Sequence, residues 1–324
     1  MKLVLPLRQH VGAPCTPVVQ VGDEVKRGQL IAKPAGLGAN IHASANGKIV
    51  EINENEIAIE AVGEINMDDY VRLTSEDHLS LIEEAGIVGA GGAGFPTHAK
   101  LSDQADTVIL NCAECEPLLK LHRQLLEKHA YEIMKTFHTV METVGASQAI
   151  IGIKKSYVQT VKALQQHIEE FPGLKLHLLD EVYPMGDEVV LIYEATGRVC
   201  RPGGLPIEQG VIVFNVETIY NVYQALESQK PVTEKYVSVV AEVEHPVTVK
   251  VPLGCTLDEV VAQAGNVTTK DPVYFVGGPM MGRIGSGSDP VTKTTNAVLV
   301  LPRDHQIVMK KQSTSAIDLN RAAS

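Results

Sequence analysis

No strongly basic stretch occurs anywhere in the chain, and 39 acidic residues outweigh 28 basic ones to give a formal charge of −11. That balance argues against a nucleic-acid partner, whose phosphates need a cationic face. Apolar runs stay short: Ala297-Val-Leu-Val-Leu301 is among the longest and falls far below a bilayer crossing, so no direct membrane span is expected. The opening Met1-Lys-Leu-Val-Leu-Pro-Leu7 is too brief for a secretory signal and is interrupted by Pro6. Cysteine is sparse. Cys15, Cys112, Cys115, Cys200 and Cys255 form an odd, scattered set that suits a reducing compartment better than a disulfide framework. A cytoplasmic chain is therefore expected. With 324 residues, 44% of them hydrophobic and 21% charged, it has material for two or three packed domains.

Glycine, by contrast, is concentrated. Gly89-Ala-Gly-Gly-Ala-Gly94-Phe-Pro-Thr-His-Ala-Lys100, counted with Gly86, places five glycines in nine residues. Backbone without side chains lets a phosphate or a flat ring approach closely, and Lys100 adds a positive charge just beyond. Gly89-x-Gly91-x-x-Gly94 also satisfies the dinucleotide fingerprint, but that fingerprint requires a preceding strand. The preceding Ser75–Ala85 reads instead as a helix, with a Ser cap, early acids, and Leu79, Ile82 and Ala85 on one face. The loop is expected between two helical pieces rather than in a Rossmann turn. A plain connector is the bland alternative.

The rest of the chain divides by texture. Residues 1–74 read as short strands with tight turns and a linker: Val18–Ala32 alternates around Gly22-Asp23 and Arg27-Gly28, and Asn46-Gly47 is a hairpin signal between two strand-like runs. This pattern resembles the lipoyl/biotinyl-type barrel-sandwich hybrid without its modified lysine, so Lys33 and Lys48 are expected at the surface. Residues 75–232 alternate strand and helix. Strands are expected at 107–110, 149–153, 174–179 and 210–214, and helices at 118–144, 157–171, 187–196 and 217–228. Repeated βα units imply a parallel sheet with ligand sites at strand C-terminal ends. Residues 233–302 read as strand–strand–helix–strand, a β-grasp layout, and 303–324 as a tail whose Ser313–Ser324 looks like the opening of a helix.

Polar residues follow two of the α/β strands, and a third group opens a helix. They are Asn111 with Glu114 and Glu116, Asn215 with Thr218, and Gly186-Asp187-Glu188. Asp187, Glu188, Asn215 and Thr218 could equally serve as helix caps or first-turn groups. Glu114 and Glu116 stand where a sheet's ligand crevice opens, suited to ribose hydroxyls or a ring N–H. Cys112-Ala-Glu-Cys115 is formally CxxC, a weak sign of metal or redox use on its own.

Gly89–Lys100, Asn111–Pro117, Tyr183–Leu191 and Asn215–Thr218 together resemble the flavin- and NADH-binding fold shared by the complex I flavoprotein subunit and the RnfC-like family. The RnfC-like branch also carries an N-terminal barrel-sandwich hybrid and a β-grasp domain of SLBB type, so the resemblance covers nearly the whole chain. Glu116–Leu119, Tyr183–Glu188 and Gly277–Gly282 look most like the cobalamin reductase branch, while Gly12-Ala-Pro-Cys15 is more similar to the proline reductase-associated electron-transfer branch. The resemblance implies an α/β multidomain, NADH-oxidising flavoprotein, an NADH:acceptor oxidoreductase. Its cofactor is FMN, and it passes electrons to a partner reductase or iron–sulfur protein. A proline-reductase system comes first among acceptors, cobalamin reduction and an Rnf complex next. Gly89, Gly91, Gly92 and Gly94 would lie along FMN and the nicotinamide, with Lys100 near the phosphate and Phe95 beside the dinucleotide. Asn111 and Glu114 would bond the flavin; Glu116 and Glu188 would face NADH. Tyr183, Gly186, Asp187, Asn215 and Thr218 would complete the pocket.

Three departures stand out. Ala113 replaces an acidic residue of the complex I subunit, and Phe214 replaces its first Asn in "NNVET". Family members normally continue after "NRAAS" into cysteine runs holding [4Fe–4S] clusters. No such run is present, so this chain is expected to ligate no cluster itself. A non-catalytic adaptor that docks partners through its hybrid and SLBB domains is the alternative from another class.

Overall fold

The computed structural model describes residues 1–101 and 104–313. Seven strands open the chain: β1 (Lys2–Pro6), β2 (Cys15–Pro17), β3 (Glu24–Val25), β4 (Leu30–Pro34), β5 (Ile41–His42), β6 (Gly47–Ile52) and β7 (Glu56–Ala61). They form two small sheets, ordered β1-β7-β6-β3 and β2-β4-β5. Alternate residues such as Leu3, Leu5, Ile31, Ile41, Ile49, Ile57 and Ile59 are fully buried between them. Lys33 and Lys48 are exposed, as expected. Asn46-Gly47 is not a hairpin. β5 pairs with β4 and β6 with β7, so this dipeptide carries the chain from one sheet to the other. Asn46 Oδ1 accepts from the Arg27 N–H at 2.8 Å, and a Cβ on Gly47 would sit 2.2 Å from the Glu60 carbonyl oxygen. The tight hairpin lies at 53–55, where Asn53 Oδ1 accepts from the N–H groups of Asn55 and Glu56.

α1 (His78–Glu84) and α2 (Thr97–Lys100) flank the glycine stretch. The cap of α1 is Asp77 rather than Ser75. Asp77 accepts from Ser80 N, while the N–H groups of Thr74 and Ser75 bond the Glu84 carboxylate. That two-residue shift turns Leu79 outward and buries Leu81 with Ile82 and Ala85. Then follow β8 (Thr107–Asn111), α3 (Leu121–Thr143), β9 (Gln148–Lys154), α4 (Val158–Gln165), β10 (Leu174–Leu179), α5 (Glu188–Thr196), β11 (Val211–Asn215) and α6 (Val216–Ser228). All pairings in the sheet β10-β9-β8-β11 are parallel. One face packs α3, α4 and α6 against Val108, Leu110, Ile151 and Phe214; the other packs α5 against Ile109, Ile150 and Val213. α3 begins at Leu121 and not Leu118, because Leu118 takes a positive φ of 71°, outside the right-handed helical region.

The third sheet contains β12 (Glu234–Ala241), β13 (Val247–Pro252), β14 (Pro272–Val276), β15 (Arg283–Gly285) and β16 (Ala297–Pro302); α7 (Leu257–Val261) lies between β13 and β14, and α8 (Gln306–Ser313) follows. Its order is β13-β12-β16-β14-β15, with β12 and β16 parallel at the centre. Sequence pattern missed β15, three residues long, and β16, where an unbroken apolar run has no period to read. The helix opening expected within Ser313–Ser324 lies, beyond Ser313, outside the described residues.

Buried charges fasten the modules together. Arg27 of the first joins Glu234 of β12, and Lys235 of β12 joins Glu217 of α6. Lys293 is different: Nζ donates to the carbonyls of Asn40 at 2.5 Å and Gly86 at 2.6 Å, with no ion pair among the described residues. Around it stand His10, His42 and Cys15; burial holds His42 down at about 3 and pushes Cys15 up to about 11, so neither supplies a charge near neutrality. Burial lowers Lys293 from an ordinary 10.5 to about 8. Between those two values the unfolded chain keeps a proton the fold has shed, so the contribution of Lys293 to stability rises with pH across that window, against the opposite contribution of the buried thiols Cys15 and Cys255, whose pKa values burial raises. Urea midpoints of the natural chain and of Lys293→Met, followed from pH 7 to 11, check this. The stability of the natural chain relative to the variant should increase between about pH 8 and 10.5, because the thiol contributions are common to both.

Candidate functional site

In an open parallel sheet a ligand crevice forms beyond the strand C-terminal ends, where the strand order reverses. Here the chain runs outward from β8 to β9 and β10, then returns to add β11 on the other side of β8. The reversal therefore lies between β8 and β11, whose last residues, Asn111 and Asn215, are register partners. Asn215 Oδ1 caps α6 by accepting from Glu217 N at 2.9 Å, and Nδ2 meets His122 Nε2 at 2.9 Å. The glycine loop crosses directly above. Ala90 N donates to Thr218 Oγ1 at 3.0 Å, Gly89 N to the Phe95 carbonyl at 2.9 Å, and a Cβ on Gly91 would lie 2.4 Å from Asn215 Nδ2. Gly94 needs its positive φ of 76° to turn the loop back beside Gln9 and His10.

Two adjoining cavities open there. The first, about 340 Å³, is lined by Gly89, Gly91, Gly92, Gly94, Phe95, Thr97, Lys100, Asn111, Glu188, Phe214, Asn215 and Thr218. The second, about 300 Å³, shares Gly91, Asn111 and Asn215 and adds Glu114, Glu116, His122, Tyr183, Gly186, Asp187, Met281 and Asn296. All the residues singled out by sequence thus border one crevice, within the size range of cofactor sites. Thr97 and Met281 stand inside the Gly89–Lys100 and Gly277–Gly282 segments but were not singled out, and His122 and Asn296 went unnoticed. His122 lies in a helix of ordinary periodicity, and Asn296 is brought in only by tertiary packing.

The side chains are already oriented. Lys100 Nζ donates to the Val213 carbonyl at 2.6 Å and lies 3.3 Å from Glu188 Oε1. Asn111 Nδ2 donates to the Gly186 carbonyl at 2.8 Å, and Asp187 caps α5 through Val189 N and Val190 N. Glu116 accepts from the N–H groups of Met280 and Met281 at 2.8 and 2.9 Å, so its carboxylate grips the loop after β14. Buried polar atoms without partners nevertheless remain: Thr97 Oγ1 in the first cavity, and His122 Nδ1 and Asn296 Oδ1 in the second, His122 Nδ1 lying 4.0 Å from Glu114 Oε1. Such orphans, beside bare glycine backbone and one ammonium, fit a flat polar ligand bearing a phosphate. The CxxC pair does not act together. Cys112 is fully buried in the core, whereas Cys115 Sγ accepts from Gly186 N at 2.8 Å.

Comparison with known proteins agrees with this architecture. Residues 1–66 match the RnfC barrel sandwich hybrid domain and residues 82–224 the Nuo51 FMN-binding domain. One subunit of the Na+-translocating ferredoxin:NAD+ oxidoreductase complex of Acetobacterium woodii is 31% identical over 325 residues, covering 93% of this chain and 73% of its own. The chain belongs to the RnfC-like family. This RnfC-like chain is also 44% identical over 231 residues to the cobalamin reductase PduS of Citrobacter freundii, 71% of the chain and 51% of that protein. It spans about half the length of the cobalamin reductases it matches. An NAD+-reducing [NiFe]-hydrogenase chain in the air-oxidised state shares the fold, with a TM-score of 0.61 at 24% identity over 70% of this chain and 47% of its own.

Gly91 and Gly92 separate packing from access. A Cβ on Gly92 would meet nothing within 4 Å, whereas one on Gly91 collides with Asn215. Gly91→Ala is expected to lower stability by about 1–3 kcal/mol and Gly92→Ala by less than about 0.5 kcal/mol, read from urea unfolding.

Proposed function

We propose that the chain is an NADH-oxidising flavoprotein module that binds FMN in the crevice above β8 and β11 and hands electrons to a partner reductase or iron–sulfur protein. One observation carries the reading: glycine loop, both strand-terminal asparagines and the 183–188 segment converge on a single crevice at the reversal of strand order. When bound, FMN supplies the hydride acceptance and the conversion from paired to single electrons.

The protein's part is to hold and orient. Gly89, Gly91, Gly92 and Gly94 offer main chain without side chains along the flavin, while Thr97 and Asn296 offer unpartnered polar atoms. Lys100, steadied by the Val213 carbonyl and Glu188, stands ready for the phosphate or a neighbouring ligand oxygen. Phe95, about a third exposed at 38%, offers a face to the dinucleotide. Glu114 and Glu116 border the second cavity, Glu114 on the flavin side and Glu116 toward NADH. Glu116 reaches NADH only by exchanging the Met280 and Met281 amides it now binds. Tyr183, Gly186 and Asp187 close the far wall.

The same reading divides the chain at 1–74, 75–232, 233–302 and 303–324 and assigns the third sheet to the SLBB type of β-grasp, supported by its parallel central pair β12 and β16. Among the described residues no helix is long and apolar enough to cross a membrane. The acceptor class we favour is an iron–sulfur or corrinoid centre, in keeping with the named relatives. In the Gly12–Cys15 segment, whose resemblance points toward a proline-reductase system, Cys15 is buried and its Sγ donates to the Ala39 carbonyl at 3.3 Å, the setting of a small core residue.

Titrating the protein with FMN should quench flavin fluorescence with a Kd on the order of 1 μM or tighter, and anaerobic NADH should then bleach the flavin. Gly92→Ala should weaken FMN about tenfold or more while folding normally. Absence of quenching in the natural chain would leave a docking scaffold as the reading.

A further inference from the structure

Lys293 is 98% shielded from solvent, being 2% exposed, yet it faces no carboxylate among the described residues. An amine so placed is costly to bury, and its two acceptors, the carbonyls of Asn40 and Gly86, match the two N–H groups of a neutral amine. What those carbonyls belong to gives the arrangement its meaning. Gly86 begins the glycine segment, in a left-handed conformation with φ 69°, and is packed so closely that an added Cβ would lie 2.2 Å from the Asn40 carbonyl oxygen and 2.9 Å from Lys293 Nζ. Asn40 belongs to the barrel-sandwich module.

The next residue reaches the other end of the same loop. A Cβ on Gly94 would stand 3.1 Å from Thr294 Cγ2 and 3.0 Å from the Gln9 carbonyl oxygen, and Val11 N donates to the Gly94 carbonyl at 3.1 Å. Lys293 N in turn donates to Gln9 Oε1 at 3.1 Å. Residues 293–294, which lie just before β16, therefore touch the start and the finish of the loop together with the barrel-sandwich residues that support it. Two residues further on, Asn296 lines the second cavity.

We propose that Lys293 is a positioning residue for the cofactor cradle: it fixes where the glycine loop starts, and with Thr294 where it ends, so that ligand affinity depends on the docking of the first and third modules. The inference rests on the flavin reading of the site for its functional consequence, though not for its structural one. A merely adhesive role between modules would loosen every interface to a similar degree. A positioning role loosens the loop and leaves the sheet beneath it intact.

Amide hydrogen exchange on Lys293→Met separates the two. Exchange in peptides covering 86–96 should accelerate about tenfold or more while those covering β8 and β11 stay as in the natural chain, and FMN affinity should fall by a similar factor. Lys293→Gln, which keeps a donor at the position, is measured beside it and should fall between; it also allows the loop to be read should the Met variant not fold. Unchanged exchange over 86–96, or a uniform rise that includes the strands of the first module, overturns the assignment. If the natural chain binds no FMN, the flavin reading fails while the exchange pattern still decides what Lys293 does.

Discussion

The site depends on how closely the Gly91 main chain can approach the Asn215 carboxamide. Asn215 serves three neighbours at once: it caps α6, meets His122 and leaves the loop above it no room for a side chain. Capping draws the carboxamide toward the helix N-terminus, where amide dipoles favour negative charge. The loop descends onto that point through the Ala90–Thr218 bond, one turn further along α6. A larger residue at 91 would lift the loop from the sheet and separate the two cavities from the strand ends that define them. Glycine is required there by a neighbour; at 92 the space is open, consistent with room left for something that is not protein.

That contact needs a frame, and the frame is drawn from all three modules. One continuous core runs from Leu3 and Ile59 through Val108 and Phe137 to Val298 and Val300. At the seams the Lys293 amine bonds two carbonyls, and buried ions pair, Arg27 with Glu234 and Lys235 with Glu217. Pairs of this kind add little net stability over apolar packing, but they penalise any other arrangement of the modules, because misdocking leaves a charge buried and alone. Glu116 extends the same logic to the crevice itself. Its carboxylate holds the Met280–Met281 turn, so the loop after β14 is fastened along the edge of the second cavity.

How far sequence could reach follows from these interactions. The alternating βα texture and the barrel-sandwich pattern were legible, since period and turn residues report local structure directly. Asn111 and Asn215 were legible as strand-terminal polar residues, and register pairing then made them neighbours. The errors are instructive. Asn46-Gly47 has hairpin chemistry, but its Asn is used by Arg27 and its Gly by Glu60, tertiary demands that mimic a local signal. Ser75 looks like a cap because acids follow it, yet Asp77 wins and Ser75 serves Glu84 instead. Lys293, His122 and Asn296 carry no pattern at all. Their significance lies in what the intervening chain folds around them, as in the 207-residue span between Lys293 and Gly86.

The two departures at 113 and 214 now have a physical setting. At 113 the main chain matters: the Ala113 carbonyl oxygen would lie 2.1 Å from a Cβ on Gly186, so this wall is built by close backbone contact between two segments. The Ala113 N–H is already used by Asn111 Oδ1, which fixes the carboxamide whose other end holds Gly186. At 214 the phenyl ring is buried, with the Lys100 ammonium 5.9 Å from its centroid. Lys100 is thus placed by a carbonyl and a carboxylate, with an aromatic ring beside them. A cradle made chiefly of backbone tolerates such exchanges, because what it offers a ligand is the path of the main chain, and that path is set by Gly91, Gly94 and the residues that pin them.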